Sequence, residues 1–403
     1  MQIRKVFFWL HLAAGCIAGA IVLLMSVTGA MLTYERQMLA RSERGQLQAD
    51  PPVGARRLPV SELVAAVGRQ REIAGNATLT LRSDPREPAE IRSGRGSAVY
   101  VNAYTGAVLK GAESTARTTF QKITAWHRWL GVEGEGRATA RAIAGACNMA
   151  FLFMVVSGAY LWLPRKWSWN ALRSIALFRW NLGGKARDFN WHNVFGVWAL
   201  FPLFFVVITA LPMSYTWANN LLYVMTGSEA PAAPGKGGDA KAGRKGPPNR
   251  RESAGRGEVE AFVDVDALWE RASRQVPGWQ SITARAALSG REPASFAIDS
   301  GDGGQPQKRS TLLLNPATSA VVRWETFGDL NAGRRLRSWS RFVHTGEYYG
   351  VVGQTVAGLA SFAGVMLVWT GISLSLRRLA AWNGRRRKRV GVLDEEAVSV
   401  VSE

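Results

Sequence analysis

Four long apolar runs stand among otherwise polar stretches, over roughly residues 6–34, 142–163, 194–217 and 351–376. Each reaches the ~20 residues that a helix needs to cross a bilayer. The first far exceeds the roughly 7–15 apolar residues of a signal-peptide core, so it is predicted to remain as an uncleaved anchor. Two long polar segments separate the first run from the second and the third from the fourth. In each, apolar and polar residues alternate around an Asn-containing turn, which predicts a β-hairpin. The turns are Tyr100-Val101-Asn102-Ala103-Tyr104-Thr105-Gly106-Ala107-Val108 and Leu313-Leu314-Asn315-Pro316-Ala317-Thr318-Ser319-Ala320-Val321. A candidate amphipathic helix precedes each hairpin, over 59–69 and 265–275.

The chain repeats itself. Trp9-Leu10-His11-Leu12-Ala13-Ala14-Gly15 corresponds to Asn190-Trp191-His192-Asn193-Val194-Phe195-Gly196, with Gly four positions and Thr (Thr28, Thr209) seventeen positions after each histidine. A second histidine follows each hairpin, in Trp126-His127-Arg128-Trp129 and Phe342-Val343-His344-Thr345-Gly346. Each is followed by a span carrying a similar signature, Val156-Ser157-Gly158 and Trp369-Thr370-Gly371. The expected unit is span, outer α+β domain, histidine, span, occurring twice. Parallel repeats of this kind relate two halves by an axis along the membrane normal. Residues 228–258, rich in Gly, Ala, Pro, Lys and Arg, interrupt the symmetry and are predicted to be a disordered insert.

The formal net charge of +20 could suit a nucleic-acid binder, but its placement argues for a topology signal. Arg4 and Lys5 precede the first span. Arg165, Lys166, Arg173, Arg179, Lys185 and Arg187 lie between the second and third, and Arg377, Arg378 and the run at 385–389 follow the fourth. The positive-inside rule puts these segments and both termini in the cytoplasm, leaving the long segments outside. Basic residues at the membrane surface also favour anionic lipid. Cys16 and Cys147 lie inside apolar runs, so no disulfide framework is expected. A CxxCH motif for covalent haem, an HxxxH zinc motif and phosphate-binding glycine loops are all missing from the sequence.

The only four histidines are His11, His127, His192 and His344. His11 and His192 lie a few residues inside the cytoplasmic flank, and His127 and His344 precede the outer entries of the second and fourth spans. Pairing by leaflet gives His11 with His192 and His127 with His344. A histidine within a membrane is costly and marks a functional site by default. Zinc would ask for three or four ligands, whereas haem asks the protein for only two. Two axial histidines at each site leave no open position for O₂, which suits electron transfer. Gly15 and Gly196, on the same helix face as their histidines, are expected to clear space for the macrocycle. Arg128 and Arg341 are candidates to meet haem propionates.

The landmarks Trp9-Leu10-His11, Tyr104-Thr105-Gly106, Ala317-Thr318-Ser319, Trp126-His127-Arg128-Trp129, Trp191-His192 and Phe342-Val343-His344-Thr345-Gly346-Glu347 span nearly the whole chain. In them the sequence resembles the PepSY-associated transmembrane family of iron-regulated membrane proteins, whose characterised relatives look like haem-containing inner-membrane ferrisiderophore reductases. The resemblance implies an α-helical membrane protein with four transmembrane helices in two pseudo-repeats, each with a small α+β PepSY-like periplasmic domain. It implies two haem b groups per chain with His11, His127, His192 and His344 as axial ligands, and reduction of a periplasmic ferric siderophore. The expected organisation is a cytoplasmic N-terminus and first span (1–36), a PepSY-like domain (37–117), a histidine-bearing segment and second span (118–164) and a cytoplasmic loop (165–189). The third span (190–227) and the insert (228–258) follow, then a second PepSY-like domain (259–328), a histidine-bearing segment and fourth span (329–376) and a basic tail (377–403). The sequence names no electron donor and is compatible with a quinol or a cytoplasmic reductase, and no nucleic-acid partner is expected. Two other readings stay open: a haem electron carrier to a different periplasmic acceptor, and a non-enzymatic scaffold or protease-regulating module with structural histidines.

Overall fold

The computed structural model describes residues 3–45, 47–48, 50–69, 77–92, 98–109, 115–163, 168–230, 264–285 and 293–401. The predicted insert at 228–258 lies almost wholly outside them. Among the described residues, four helices are long and apolar enough to cross a membrane: Ile3–Leu32, Gly134–Trp162, Gly184–Ser214 and Glu347–Arg385. They fall in α1 (Ile3–Leu32), α5 (Arg137–Trp162), α7 (Gly184–Ser214) and α11 (Gly350–Val401), which runs on past the apolar stretch; the short α2 (Glu35–Leu39) follows α1 and α6 (Trp169–Ala176) precedes α7. Together with the family match reported below, they make this a membrane protein. They pack as a four-cornered bundle in which α1 and α7 each touch both α5 and α11. The bundle is closed by small residues. A side chain at Gly364 of α11 would collide with Ser26 of α1, and Gly19 of α1 packs against Val368.

The third span differs at both ends from the apolar run that announces it. α7 starts ten residues earlier than its run, because its polar first turns are anchored. Buried Asp188 pairs with Arg187 (3.0 Å) and Arg377 (3.3 Å) and accepts a 2.6 Å hydrogen bond from Ser373. The same helix stops at Ser214, where Tyr215 adopts extended backbone, and α8 (Thr216–Met225) begins as a separate element. Pro202 and Pro212 are accommodated inside α7, as membrane helices permit when neighbours re-satisfy the freed groups.

The two polar segments meet at one end of the bundle, here called the sheet end. The first contributes α3 (Val60–Gly68), β1 (Thr78–Arg82), β2 (Ala89–Arg92), β3 (Ala98–Val101) and β4 (Val108–Leu109). The second contributes α9 (Val265–Gln275), β5 (Ser281–Arg285), β6 (Ala294–Asp299), β7 (Arg309–Leu314) and β8 (Val321–Thr326). They form one antiparallel eight-stranded sheet in the order β4-β3-β2-β1-β5-β6-β7-β8. At the seam, Thr80 stands opposite Thr283 with their hydroxyls 2.9 Å apart, and the flanking pairs run from Thr78↔Arg285 to Arg82↔Ser281. The edge that each four-stranded unit would expose is thus covered by the other, which removes an aggregation liability. Below the sheet, α3 packs on Leu79, Ile91 and Val101, and α9 on Ile282, Phe296 and Leu312. Trp269 touches both clusters, and Asp266 of α9 accepts hydrogen bonds from the Ser61 backbone and hydroxyl.

The predicted hairpin turns are present. Asn102 Oδ1 accepts from the amides of Tyr104 and Thr105, and Asn315 Oδ1 from those of Ala317 and Thr318. Gly106 and Ser319 occupy the same left-handed position, at φ 69° and 54°. Arg36 ties the sheet to the bundle through Glu347 (2.7 Å) and Asp302 (3.7 Å).

Candidate functional site

Each histidine has a defined seat. His11 lies on α1 and His192 on α7, at the end of the bundle opposite the sheet. His127 lies near the end of α4 (Thr115–Trp129), and His344 is the last residue of α10 (Ala332–His344). These two shorter helices pack on α1 and α7 respectively. The turn after His344 requires Gly346, at φ 75°: a Cβ there would lie 2.4 Å from the Gly353 carbonyl oxygen. Along α1, the seventeen residues from His11 to Thr28, where His127 docks, correspond to about 25 Å. The two pairs are therefore separate.

The second contacts of the rings settle which nitrogen is free. His11 Nδ1 lies 2.9 Å from Ser157 Oγ, His192 Nδ1 2.9 Å from Thr370 Oγ1, and His127 Nδ1 2.9 Å from Thr28 Oγ1. Thr28 and Thr370 donate their hydroxyl hydrogens to the carbonyls of Leu24 and Met366. A hydroxyl that has donated its one hydrogen can only accept from the imidazole. The His127 and His192 rings are therefore Nδ1–H donors. Ser157 Oγ lies 3.4 Å from the Met154 carbonyl, too long to fix the direction of its 2.9 Å bond to His11. His344 Nδ1 donates to the Val206 carbonyl at 2.7 Å, a partner with no hydrogen to give. The His127, His192 and His344 seats thus leave Nε2 with its lone pair, the form in which histidine binds a metal while its other nitrogen is anchored.

Sequence reasoning missed these anchors. The visible signal was a hydroxyl residue directly before a glycine. A Cβ at Gly158, Gly29 or Gly371 would lie 3.4, 3.4 or 3.5 Å from Cε1 of His11, His127 or His192. The hydroxyl holds the ring and the glycine beside it lets the ring lie close against the helix. Gly15 and Gly196, expected to clear space around the histidines, instead face Met154 and Leu367 of neighbouring helices. Position i+4 selects the face of a helix and leaves open which neighbour meets it.

His127 and His344 face one another with centroids 6.3 Å apart and planes tilted by 48°. His11 and His192 are close enough to interact electrostatically. Burial, and then the facing His344, push His127 down to about 4, and burial likewise lowers His344. Both are neutral imidazoles at physiological pH.

Two facing imidazoles are the donors that a metal cofactor such as haem would need from the protein, and the 6.3 Å between His127 and His344 would leave room for one metal ion between them. Among the described residues no group of three or more His, Cys, Asp or Glu gathers to hold a metal, so the histidines stand as pairs. The indole N–H groups of Trp191, next to His192, and of Trp162 are buried without a hydrogen-bond partner among the described residues, so each could serve a carboxylate such as a propionate.

A family described as "PepSY-associated TM region" matches residues 8–378 of the chain. No curated protein matches it.

Proposed function

The chain belongs to the PepSY-associated TM region family, and from that premise we propose that it is an inner-membrane haem protein that carries electrons outward to reduce ferric siderophores. Its two halves act as pseudo-repeats about an axis along the membrane normal, with the sheet in the periplasm and both termini in the cytoplasm. Basic flanks at the far end support that orientation, and the Thr80–Thr283 seam supports the two-fold relation.

The observation that carries the reading is the facing of His127 and His344, 6.3 Å apart, each with Nδ1 anchored. Bound haem b would supply one-electron ferric/ferrous chemistry. The residues of the chain do the rest. Thr28, Thr370 and the Val206 carbonyl fix the tautomer of their rings, and Ser157 holds the fourth in place. The apolar bundle around Val155, Leu203 and Val207 excludes water between the two sites. His11 with His192 forms the entry site nearer the donor, a quinol or a cytoplasmic reductase, and His127 with His344 the exit site nearer the acceptor. One electron delivered to a hard-oxygen Fe(III) chelate gives Fe(II), which such ligands hold far less tightly, so iron is released with the chelator intact.

The test is reoxidation. The purified, chemically reduced protein should return to its oxidised spectrum when ferric siderophore is added under anaerobic conditions, with Fe(II) trapped by a ferrous chelator. A haem-loaded protein that stays reduced would move the reading to a carrier for a different acceptor.

A further inference from the structure

Beside the sheet-end histidine pair, three helices bring together arginines that no carboxylate neutralises among the described residues. α4 supplies Arg128, α5 supplies Arg137 and Arg141, and α10 supplies Arg337 and Arg341. Arg128, Arg137, Arg141 and Arg341 are exposed. Arg128 and Arg137 both lie on the Trp129 indole, 4.8 and 3.9 Å from its centroid. Arg341 lies 5.3 Å from the Phe342 ring, one turn before His344. Arg141 donates to the Met213 carbonyl and Arg337 to Asn219 Oδ1 at 2.7 Å, contacts that position these groups and leave their charge uncompensated. Arg128 lies within electrostatic reach of Arg141, Arg341 and Arg137, and no carboxylate among the described residues acts on it. Glu133 and Glu135 sit in the α4–α5 connection, yet neither forms an ion pair with this cluster among the described residues.

Such a cluster is costly, because guanidinium stays charged and like charges repel. In the orientation proposed above it also flanks the outer ends of two spans, where the positive-inside rule disfavours basic residues. Membrane insertion therefore does not account for it. A bound anion does, since arginine forks match carboxylate and similar oxyanions. One haem carries two propionates, fewer than these arginines could serve.

We propose that Arg128, Arg137, Arg141 and Arg341, with Arg337 behind them, form a docking surface for an anionic, oxygen-rich ferric chelate of the carboxylate or catecholate class. The surface lies beside the pair from which the electron leaves, so charge complementarity would hold the acceptor next to its reductant. The proposal rests on the reductase reading for its purpose, but its test reads binding without electron transfer.

Full-length protein in phosphatidylcholine nanodiscs is titrated with ferric citrate, and with ferrichrome as an uncharged hydroxamate control, by calorimetry at two salt concentrations, alongside haem content. Wild type should bind ferric citrate more tightly than ferrichrome and lose affinity as salt rises. R137Q/R141Q should weaken ferric citrate binding about tenfold or more, with ferrichrome binding and haem content unchanged. If that double variant fails to fold, the single variant R141Q should show a smaller loss of the same sign. Equal ferric citrate affinity in wild type and variants would overturn the proposal. So would loss of one haem with ferric citrate binding intact, which would assign the arginines to the cofactor's own carboxylates. Protein without haem that still binds ferric citrate through these arginines would sink the reductase reading and leave the docking surface standing.

Discussion

At the far end of the bundle both histidines ride on spanning helices, His11 on α1 and His192 on α7, and both lean on hydroxyls of the adjoining spans, Ser157 of α5 and Thr370 of α11. At the sheet end both ride on short helices outside the spans, and the anchors are unlike: a hydroxyl of α1 for His127 and a backbone carbonyl of α7 for His344. The far-end pair is therefore positioned by the packing of the bundle itself, reinforced by buried Asp188 clamping α7 to α11. The sheet-end pair depends on how two amphipathic helices dock, and so on the turns and the sheet behind them. Structure built on fewer buried contacts opens at lower free energy, which makes the sheet-end site the more easily disturbed.

The largest effect expected of this contrast concerns ligation. His127→Ala or His344→Ala should each take the protein from about two haems per chain to about one, and His11→Ala or His192→Ala should remove the other. Haem content and redox titration distinguish the two. Retention of both haems in these variants would break the pairing. A weaker effect separates the anchors. Thr28→Val and Thr370→Val strand a buried Nδ1–H and should weaken haem retention about 10–100-fold, the usual scale for losing such a partner. Thr209→Val, at the position corresponding to Thr28, should leave retention unchanged because His344 uses the Val206 carbonyl. Competition with apomyoglobin measures this, and equal losses in Thr28→Val and Thr209→Val would contradict the assigned anchors.

The smallest effect compares the two hairpins. Ser319 holds the left-handed conformation in which the first hairpin has Gly106. Ser319→Gly should stabilise the sheet by roughly 0.5–1 kcal/mol and Gly106→Ser should cost about 1–2 kcal/mol. The second cost includes a Cβ that would lie 3.3 Å from Leu58 Cδ1. Thermal unfolding of the two variants should therefore shift in opposite directions.

Much of this was written in the sequence as local pattern. Four apolar runs gave four spans, the Asn-centred turns gave two hairpins, and the order of the histidines along the chain gave the facing of His127 and His344. The Ser157-Gly158 and Thr370-Gly371 signatures were visible as a repeated ending, though not as ring seats. What stayed hidden is non-local. The pairing of β1 with β5 joins residues some two hundred positions apart, and no alternation within either strand specifies its partner. The break at Tyr215 lies inside a continuous apolar run, and the early start of α7 depends on Arg377 and Ser373 near the far end of the chain. The arginine cluster is likewise assembled from three separate helices.

The most direct test is a pyridine haemochrome assay on the purified wild-type protein, expressed with adequate haem supply. It should report about two b-type haems per chain, with low-spin, six-coordinate spectra in both oxidation states. A protein that purifies folded and without haem would contradict the assignment of all four histidines.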